Sequence, residues 1–312
     1  MKTKLLAKLI IIVWLQKNDW QAGVDSVRQN IDLIQEVSPA WFAPSADGSV
    51  VQLPGVPVDD PALVSVVRTH GVHLRPIIMN APTAGFDADL LRTIFSNPAL
   101  ENKHIAAITD LVNTRQYDGV DIDSEGLASN ELNQLADFIT KLGSQLHANG
   151  KTLAVDLQAK YAGQNSPALR QIAAAADSVR LMVYPEHDAS TSPGSIASLG
   201  WIRDRLSAAR GDIPADKLAL GMATYAMSWN PSGSGTWAAM AQPIIAKGAT
   251  RISRDSDGVA SFNDGRRVVY FEDAQSIGRK MEVAGKLGIS QFALWRLGGE
   301  DPTIWALLRS VR

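Results

Sequence analysis

The sequence predicts an α/β protein: a (β/α)8 barrel, or TIM barrel, in which each of eight parallel strands is followed by a helix. Three observations favour this fold. Short β-rich runs alternate with helical patterns, the alternation repeats eight times, and 312 residues is a common length for one such barrel. A small α+β insertion between the seventh strand and its helix, at about 230–269, interrupts the regular pattern.

The predicted strands are short runs rich in apolar residues, at 9–15, 40–44, 72–80, 119–125, 152–158, 178–184, 218–225 and 291–297. The predicted helices show apolar residues at helical spacing and lie at 25–37, 61–69, 87–115 in two pieces, 130–148, 167–175, 196–209, 273–287 and 302–311. In such a barrel the active site lies at the carboxyl ends of the strands.

The first strand has a second interpretation. Residues 1–8 are basic and 9–15 are apolar, which is also typical of a signal peptide. However, Lys8 interrupts the pattern, no clean cleavage site follows, and the run is too short to span a bilayer. We favour a buried barrel strand, because the fold needs one here, and keep the signal segment as the alternative.

Composition excludes several classes of function. A net charge of −2 and a pI near 6.2 give no basic footprint, so nucleic acid is not an expected partner. The absence of cysteine excludes disulfides, thiol nucleophiles and Cys-ligated zinc. We expect no cofactor, no bound metal, no transmembrane span and a monomer.

The insertion at 230–269 contains a short apolar helix candidate at 241–246 and the hairpin signals Asp257-Gly258 and Asp264-Gly265. Because it follows the seventh strand, it belongs to the catalytic rim and is predicted to form one wall of a substrate cleft. No internal linker is apparent, so residues 1–312 are expected to form a single catalytic domain.

Residues 118–125, Asp-Gly-Val-Asp-Ile-Asp-Ser-Glu, are the most informative segment. Asp121, Asp123 and Glu125 alternate with other residues, so on a strand they face the same way, roughly 6–7 Å apart. Like charges at this distance raise at least one pKa and leave a protonated carboxyl near neutral pH, which is the property of a general acid. The alternatives are a cation site and a solvated acidic edge, although the apolar residues between the acids fit a strand better than a calcium loop.

This octet matches the Asp-x-x-Asp-x-Asp-x-Glu signature and resembles glycoside hydrolase family 18, the chitinase family. Three strand-end segments agree with the family pattern, at 182–184, 221–225 and 292–295. The residues at 270–274 and 294–302 most resemble one branch of this family. That branch contains spore-cortex-lytic hydrolases and family-18 domains joined to polysaccharide deacetylases. The resemblance extends from residue 9 to the C-terminus.

The resemblance implies a retaining, substrate-assisted glycosidase in which the N-acetyl oxygen of the substrate is the nucleophile. Glu125 would be the general acid and base, and Asp123 would bind the acetamido N–H and stabilise the oxazolinium intermediate. Asp121 would share a proton with Asp123. Tyr184 would hold the acetamide, and Trp295 would form the floor under the sugar ring.

Further substrate contacts are predicted from strand ends and from family motifs, each with packing as its alternative: Met182, Tyr225, Gln158, Asn80 and Trp229. Pro185 stands where many family members carry Asp. The contact that this Asp makes in those proteins is therefore expected to be lost or to be made by Glu186. The run Glu186-His187-Asp188 fits a solvated loop better than a metal site.

The expected partner is an oligo- or polysaccharide with β-linked N-acetylglucosamine: chitin-like, poly-N-acetylglucosamine or peptidoglycan-type. Such glycans are mostly extracytoplasmic, so a secreted, periplasmic or cell-wall location is expected. A lectin-like relative of the same fold is the alternative function, and the presence of Glu125 favours the enzyme. A further alternative is a cation-dependent structural barrel, whose activity or folding would respond to chelators.

Overall fold

The computed structural model describes residues 9–83, 85–230, 235–238 and 252–312. Eight parallel strands form a ring in the order β1-β15-β9-β8-β7-β6-β5-β2, and β2 pairs with β1 to close it. The strands are β1 (Ile10–Leu15), β2 (Glu36–Pro44), β5 (Ile77–Met79), β6 (Gly119–Asp123), β7 (Thr152–Gln158), β8 (Ser178–Met182), β9 (Leu218–Ala223) and β15 (Gln291–Trp295). The structure therefore confirms the predicted (β/α)8 barrel.

Helices surround the ring and follow the strands in sequence. They are α1 (Trp20–Asn30), α2 (Pro61–Thr69), α3 (Ala88–Phe95), α4 (Pro98–Thr114), α5 (Leu132–Ala148), α6 (Ser166–Ala175), α7 (Leu199–Arg210), α8 (Ala274–Lys286) and α9 (Thr303–Val311). Several begin at a polar cap whose side chain accepts backbone N–H groups of the first turn, as Asp60, Asp87, Asn97 and Asp273 do. None of the helices in the described part of the chain has the length and apolarity needed to cross a membrane.

The apolar core has two layers because strand side chains alternate between the outside and the inside of the barrel. The larger layer lies between strands and helices, and a smaller cluster that includes Ile12, Trp14 and Met79 lies inside the ring. Gly119 begins β6, where any Cβ atom would lie 2.0 Å from the carbonyl oxygen of Thr152. Glycine therefore lets β6 and β7 pair closely at the start of the acidic strand.

Two short strands accompany the ring. β3 (Val50–Gln52) pairs antiparallel with β2, and β4 (His73–Leu74) pairs with the start of β2. The third predicted strand, 72–80, is thus broken into β4 and β5 at Arg75-Pro76. Proline has no N–H to give to a central ladder, which explains the interruption.

The predicted helix at 25–37 is wrong at both ends. The observed helix α1 begins at Trp20 and ends at Asn30, and Glu36 already belongs to β2. The apolar residues after Asn30 continue a helical spacing, but Glu36 and Val37 pair with Ile12 and Val13 of β1. Barrel closure therefore overrides the local pattern.

A second, antiparallel sheet follows β9, with strand order β11-β10-β14-β13-β12. Its strands are β10 (Ala226–Trp229), β11 (Gly235–Ala238), β12 (Ser253–Arg254), β13 (Ala260–Asn263) and β14 (Val268–Phe271). The two Asp-Gly signals lie in the β12–β13 and β13–β14 connections, as predicted. The helix candidate at 241–246 lies outside the described residues.

Candidate active site

A pocket of about 220 Å³ opens at the carboxyl ends of the barrel strands. Acidic, amide and aromatic side chains line it: Phe86, Asp123, Glu125, Asp156, Gln158, Met182, Tyr184, Pro185 and Trp295. Six of the ten residues predicted for the site therefore meet in one cavity. They come from β6, β7, β8 and β15 or from the residues just beyond their ends.

Glu125 lies in this pocket but not on the strand, because β6 ends at Asp123. Its backbone is held by Asn80, whose Oδ1 accepts from Glu125 N and whose Nδ2 donates to Glu125 O, both at 2.9 Å. Gln158 Nε2 donates to Glu125 Oε2 at 2.7 Å. Asn80 and Gln158, rather than strand alternation, therefore set the direction of this carboxyl.

Burial raises the pKa of Glu125 to about 7, and the positive charge of Lys160 opposes that rise. A carboxyl with this pKa is protonated in a large share of molecules near neutral pH. It can therefore give a proton to a leaving oxygen and later take one from water, the two tasks of a general acid and base.

The rate is expected to fall as pH rises through the pKa of Glu125, because the acid must be protonated when the bond breaks. Lys160→Met removes the charge that lowers this pKa, so the basic limb of kcat/KM should move to higher pH by about half a unit, the effect of one charge several Å away through water. Measured pH–rate profiles check this. Lys103→Met, at an exposed pair with Asp47, is the control and should leave the limb in place. An unmoved limb in Lys160→Met would contradict the assignment.

Asp121 and Asp123 point into the barrel from β6 and are almost completely buried. Burial, followed by the charges of Glu125 and Asp121, raises the pKa of Asp123 well above its usual range. Trp14 Nε1 donates to Asp121 Oδ2 at 3.1 Å, and Arg180 donates to the same oxygen. The proton shared between Asp121 and Asp123 stays a prediction, and a third buried acid, Asp156 on β7, has its pKa raised well above the usual range by burial and by the charge of Asp121.

Arg180 is fully buried at the centre of the barrel, where it pairs with Asp121 and with Glu36 of β2. A second arginine, Arg75, also pairs with Glu36. Despite its burial, the pKa of Glu36 is lowered by these two guanidinium groups. Two cations thus balance Glu36 and Asp121, and Asp156 Oδ1 also lies 4.0 Å from Arg180, whereas Asp123 forms no ion pair among the described residues.

Tyr184 and Trp295 are aromatic side chains in the pocket lining. The Tyr184 hydroxyl is enclosed and has no hydrogen-bond partner among the described residues, so it is available to a ligand in the pocket. Trp295 packs edge-on against Trp14 with ring centroids 6.0 Å apart. This contact holds the indole beside the acids, where it can receive the face of a sugar ring.

Three residues predicted to bind substrate lie elsewhere. Asn80 is buried and holds Glu125, while Tyr225 and Trp229 lie in an apolar cluster behind Tyr184. Trp229 is fully buried, and its Nε1 donates to the carbonyl oxygens of Asp188 and Thr191 at 3.1 and 3.0 Å. These side chains support the pocket from behind and do not line it.

Glu186 does not replace the acid that Pro185 displaces. Its Oε2 accepts from Ser198 N at 2.6 Å, next to the start of α7, whereas Pro185 lines the pocket. Asp118 has a structural role: its Oδ2 accepts from Leu74 N at 2.8 Å. Among the described residues, no group of three acidic or histidine side chains has the arrangement of a metal site.

Sequence reasoning missed Asp156, Arg180 and Phe86. Strand alternation could have found the first two, because Asp156 has the parity of Gln158, and Arg180 that of Met182 and Tyr184. Phe86 lies in the segment after β5, where no periodic pattern applies, and it is 42% exposed. Its position in the lining could only come from the folded chain.

The protein is a closed parallel barrel with an acid-lined pocket at the carboxyl ends of its strands. This fold and this site together define a class of proteins that includes glycoside hydrolases. The family model "Glycosyl hydrolases family 18" matches residues 86–300. The chain therefore belongs to glycosyl hydrolase family 18, as the resemblance of its acidic octet indicated.

The chain is similar to Bacillus subtilis YdhD, whose name assigns it to sporulation-specific glycosylases, with 27% identity over 268 residues. That match covers 80% of this chain and 64% of YdhD, so the chain spans less than two thirds of that relative. Its fold is shared with the spore cortex-lytic enzyme SleL of Bacillus cereus (TM-score 0.85, 20% identity, 97% of this chain and 74% of SleL). It is also shared with a chitinase of Chromobacterium violaceum (TM-score 0.84, 23% identity, 97% and 98%). The predicted cortex-lytic branch is thus represented among the matches.

Proposed function

We propose that this protein is a retaining glycoside hydrolase that cleaves β-linked N-acetylglucosaminyl bonds by a substrate-assisted mechanism. The observation that carries the proposal is the position of Glu125: a carboxyl with a pKa of about 7 lies in the rim pocket beside Asp123. Glu125 protonates the glycosidic oxygen and then activates water. The acetamido oxygen of the sugar attacks the anomeric carbon and forms an oxazolinium ion.

The other pocket residues have roles that fit the proposed mechanism. Asp123 accepts the acetamido N–H and, when ionised, stabilises the positive oxazolinium. The Tyr184 hydroxyl donates to the acetamido oxygen and so orients the nucleophile. Trp295 and Met182 contact the apolar face of the sugar, and Gln158 keeps the Glu125 carboxyl directed into the pocket.

The pocket and the names of the relatives support the proposed substrate class. A site that uses an acetamido group requires a 2-acetamido sugar before the scissile bond, which chitin-like, poly-N-acetylglucosamine and peptidoglycan-type glycans all contain. The names of YdhD, SleL and the bacterial chitinase agree with this range. We propose that the chain acts as one catalytic unit in which the second sheet walls the cleft, because its residues Met227 and Trp229 lie in one apolar cluster against Tyr184 and Trp295.

Replacing the N-acetyl group of the reacting sugar by a free amine should abolish cleavage, because the nucleophile is then missing. The test compares acetylated and deacetylated chito-oligosaccharides of equal length, with fragments identified by mass spectrometry. The acetylated chain should be cut with retention of the β configuration, followed by NMR of the fresh reducing end. Hydrolysis of the fully deacetylated chain, or an initial α product, would exclude neighbouring-group catalysis.

A further inference from the structure

A second pocket, of about 610 Å³, opens at the carboxyl ends of the strands beside the catalytic pocket. The catalytic pocket is lined from β6, β7, β8 and β15, and the second pocket from residues in or just beyond β1, β2 and β5, the remaining arc of the ring. Most of the lining of the second pocket is apolar, with Leu53, Val56 and Met79 among its side chains. The proposed mechanism does not use this space.

The two pockets adjoin. Phe86 lines both of them and is 42% exposed, so an aromatic side chain lies where one space meets the other. Met79 at the end of β5 pairs in register with Asp123 of β6, which places the two linings on neighbouring strands. Leu53 of the second pocket and Trp295 of the catalytic pocket pack against the same inner apolar cluster. The pockets are therefore two parts of one groove across the barrel mouth.

The two parts of the groove carry different charged groups. Three acidic side chains line the catalytic pocket, Asp123, Glu125 and Asp156. The lining of the second pocket contains one charged side chain among the described residues, the cation Lys17. A chain molecule that fills both parts therefore meets acids at one unit and a positive charge at the next.

Lys17 is held at the wall of the second pocket by a neutral group. Its Nζ donates to the carbonyl oxygen of Pro54 at 3.2 Å, so the side chain reaches from the end of β1 to the segment after β3. The acid nearest in sequence, Asp19, pairs with Arg296 instead, and Lys17 forms no ion pair in the part of the chain that the structure describes. An ammonium group has three N–H donors, and a carboxylate accepts them in charge-assisted bonds. A carboxylate on a ligand would therefore complete this site.

We propose that the second pocket binds the sugar unit next to the reacting N-acetylglucosamine, and that Lys17 selects a unit that carries a carboxylate. Because the catalytic pocket of about 220 Å³ is proposed to hold one sugar ring, the larger pocket has room for a further ring with an acidic substituent. Phe86 offers its ring to the apolar face of the chain where the chain passes from one pocket to the other.

This inference rests on the proposed function and narrows its substrate class. Chitin-like chains are neutral, and deacetylated units of poly-N-acetylglucosamine carry amines, which Lys17 repels. Peptidoglycan-type chains carry an ether-linked carboxylate on every second sugar, so both neighbours of a reacting N-acetylglucosamine can offer one. The charge of the second pocket therefore favours the peptidoglycan-type glycan.

Matched glycans test this selection. One substrate is a peptide-free oligosaccharide of alternating N-acetylglucosamine and N-acetylmuramic acid, and the other is the same oligosaccharide with each carboxylate converted to an amide. We expect wild-type kcat/KM to favour the acidic glycan by about fivefold, the effect of one partly exposed ion pair. Lys17→Met should remove this preference, mainly through KM, and Lys17→Arg should keep it because the charge remains.

Lys103→Met is the control, since Lys103 pairs with Asp47 at an exposed site, and it should keep the wild-type preference. Equal kcat/KM for the two glycans in the wild-type protein, or an unchanged preference in Lys17→Met, would overturn the proposal.

A binding measurement separates this inference from the proposed function. Calorimetry with Glu125→Gln follows the affinity for the acidic glycan without turnover, and adding Lys17→Met to this variant should weaken that affinity about fivefold. An unchanged affinity would contradict selection by Lys17. If the wild-type protein cleaves none of the acetylated glycans, the proposed function fails, while the binding result still decides whether Lys17 recognises a carboxylate.

Discussion

Glu125→Gln is expected to lower kcat by about 10³-fold or more, within the range that general acid catalysis contributes, while the affinity for a chito-oligosaccharide changes little. Glutamine has the shape of the acid but no proton to give. Asn80 holds the backbone of residue 125 through atoms that the substitution does not touch, and the amide oxygen of the new side chain can still accept from Gln158. The pocket should therefore remain formed.

Turnover of an acetylated oligosaccharide and calorimetric binding to the same ligand measure the two effects separately. Glu186→Gln is a suitable control, because Glu186 lies on the same rim but its carboxylate is bonded to Ser198 N and does not line the pocket. It should keep nearly all activity. Wild-type turnover by Glu125→Gln would remove Glu125 from the mechanism. Loss of binding together with turnover would instead show that the substitution had disrupted the site.

Arg180→Met is expected to destabilise the fold by about 3–5 kcal/mol, the cost of leaving buried charges without their partner. Arg180 is completely buried and pairs with both Asp121 and Glu36. The variant therefore removes the ion pair of Asp121 and leaves Glu36 paired with Arg75 alone. Urea unfolding measures the difference. Arg203→Met is the control, since Arg203 and Asp204 are an exposed pair expected to contribute less than about 1 kcal/mol.

The destabilisation of Arg180→Met should depend on pH in a defined direction. Without the guanidinium, burial raises the folded-state pKa of Asp121 further, above its value in the unfolded chain. Such a group destabilises the fold as pH rises past the unfolded pKa and has no effect when it is protonated in both states. The difference from wild type should therefore be larger at pH 8 than at pH 5. If the difference in stability were constant across that range, lost packing and not an unpaired buried charge would explain the effect.

The barrel was predictable because its signal is local and repeated. β7 has the bounds given by its apolar alternation, and the acidic strand begins where predicted. Boundaries failed where a distant strand decides them: Glu36 joins β2 because β1 needs a partner, although the sequence there continues a helical spacing.

The site was predictable where residue type and strand parity are sufficient, as for Asp121, Asp123 and Gln158. Glu125 was placed in the pocket for a partly wrong reason, since side-chain bonds from Asn80 and Gln158 orient it beyond the end of β6. The partnership of Arg180 with Glu36 joins residues 144 positions apart. No periodic pattern encodes such a pair.

The most direct test of this account is the protonation state of Glu125 itself. Carboxyl ¹³C NMR of glutamate-labelled protein, compared with the same spectrum of Glu125→Gln, identifies the signal of this residue and follows it with pH. We predict a midpoint of about 7, the result of burial, which the positive charge of Lys160 opposes. A midpoint near 4.5, the ordinary value for glutamate, would contradict the assignment, because Glu125 would then be ionised at neutral pH and could not protonate a glycosidic bond.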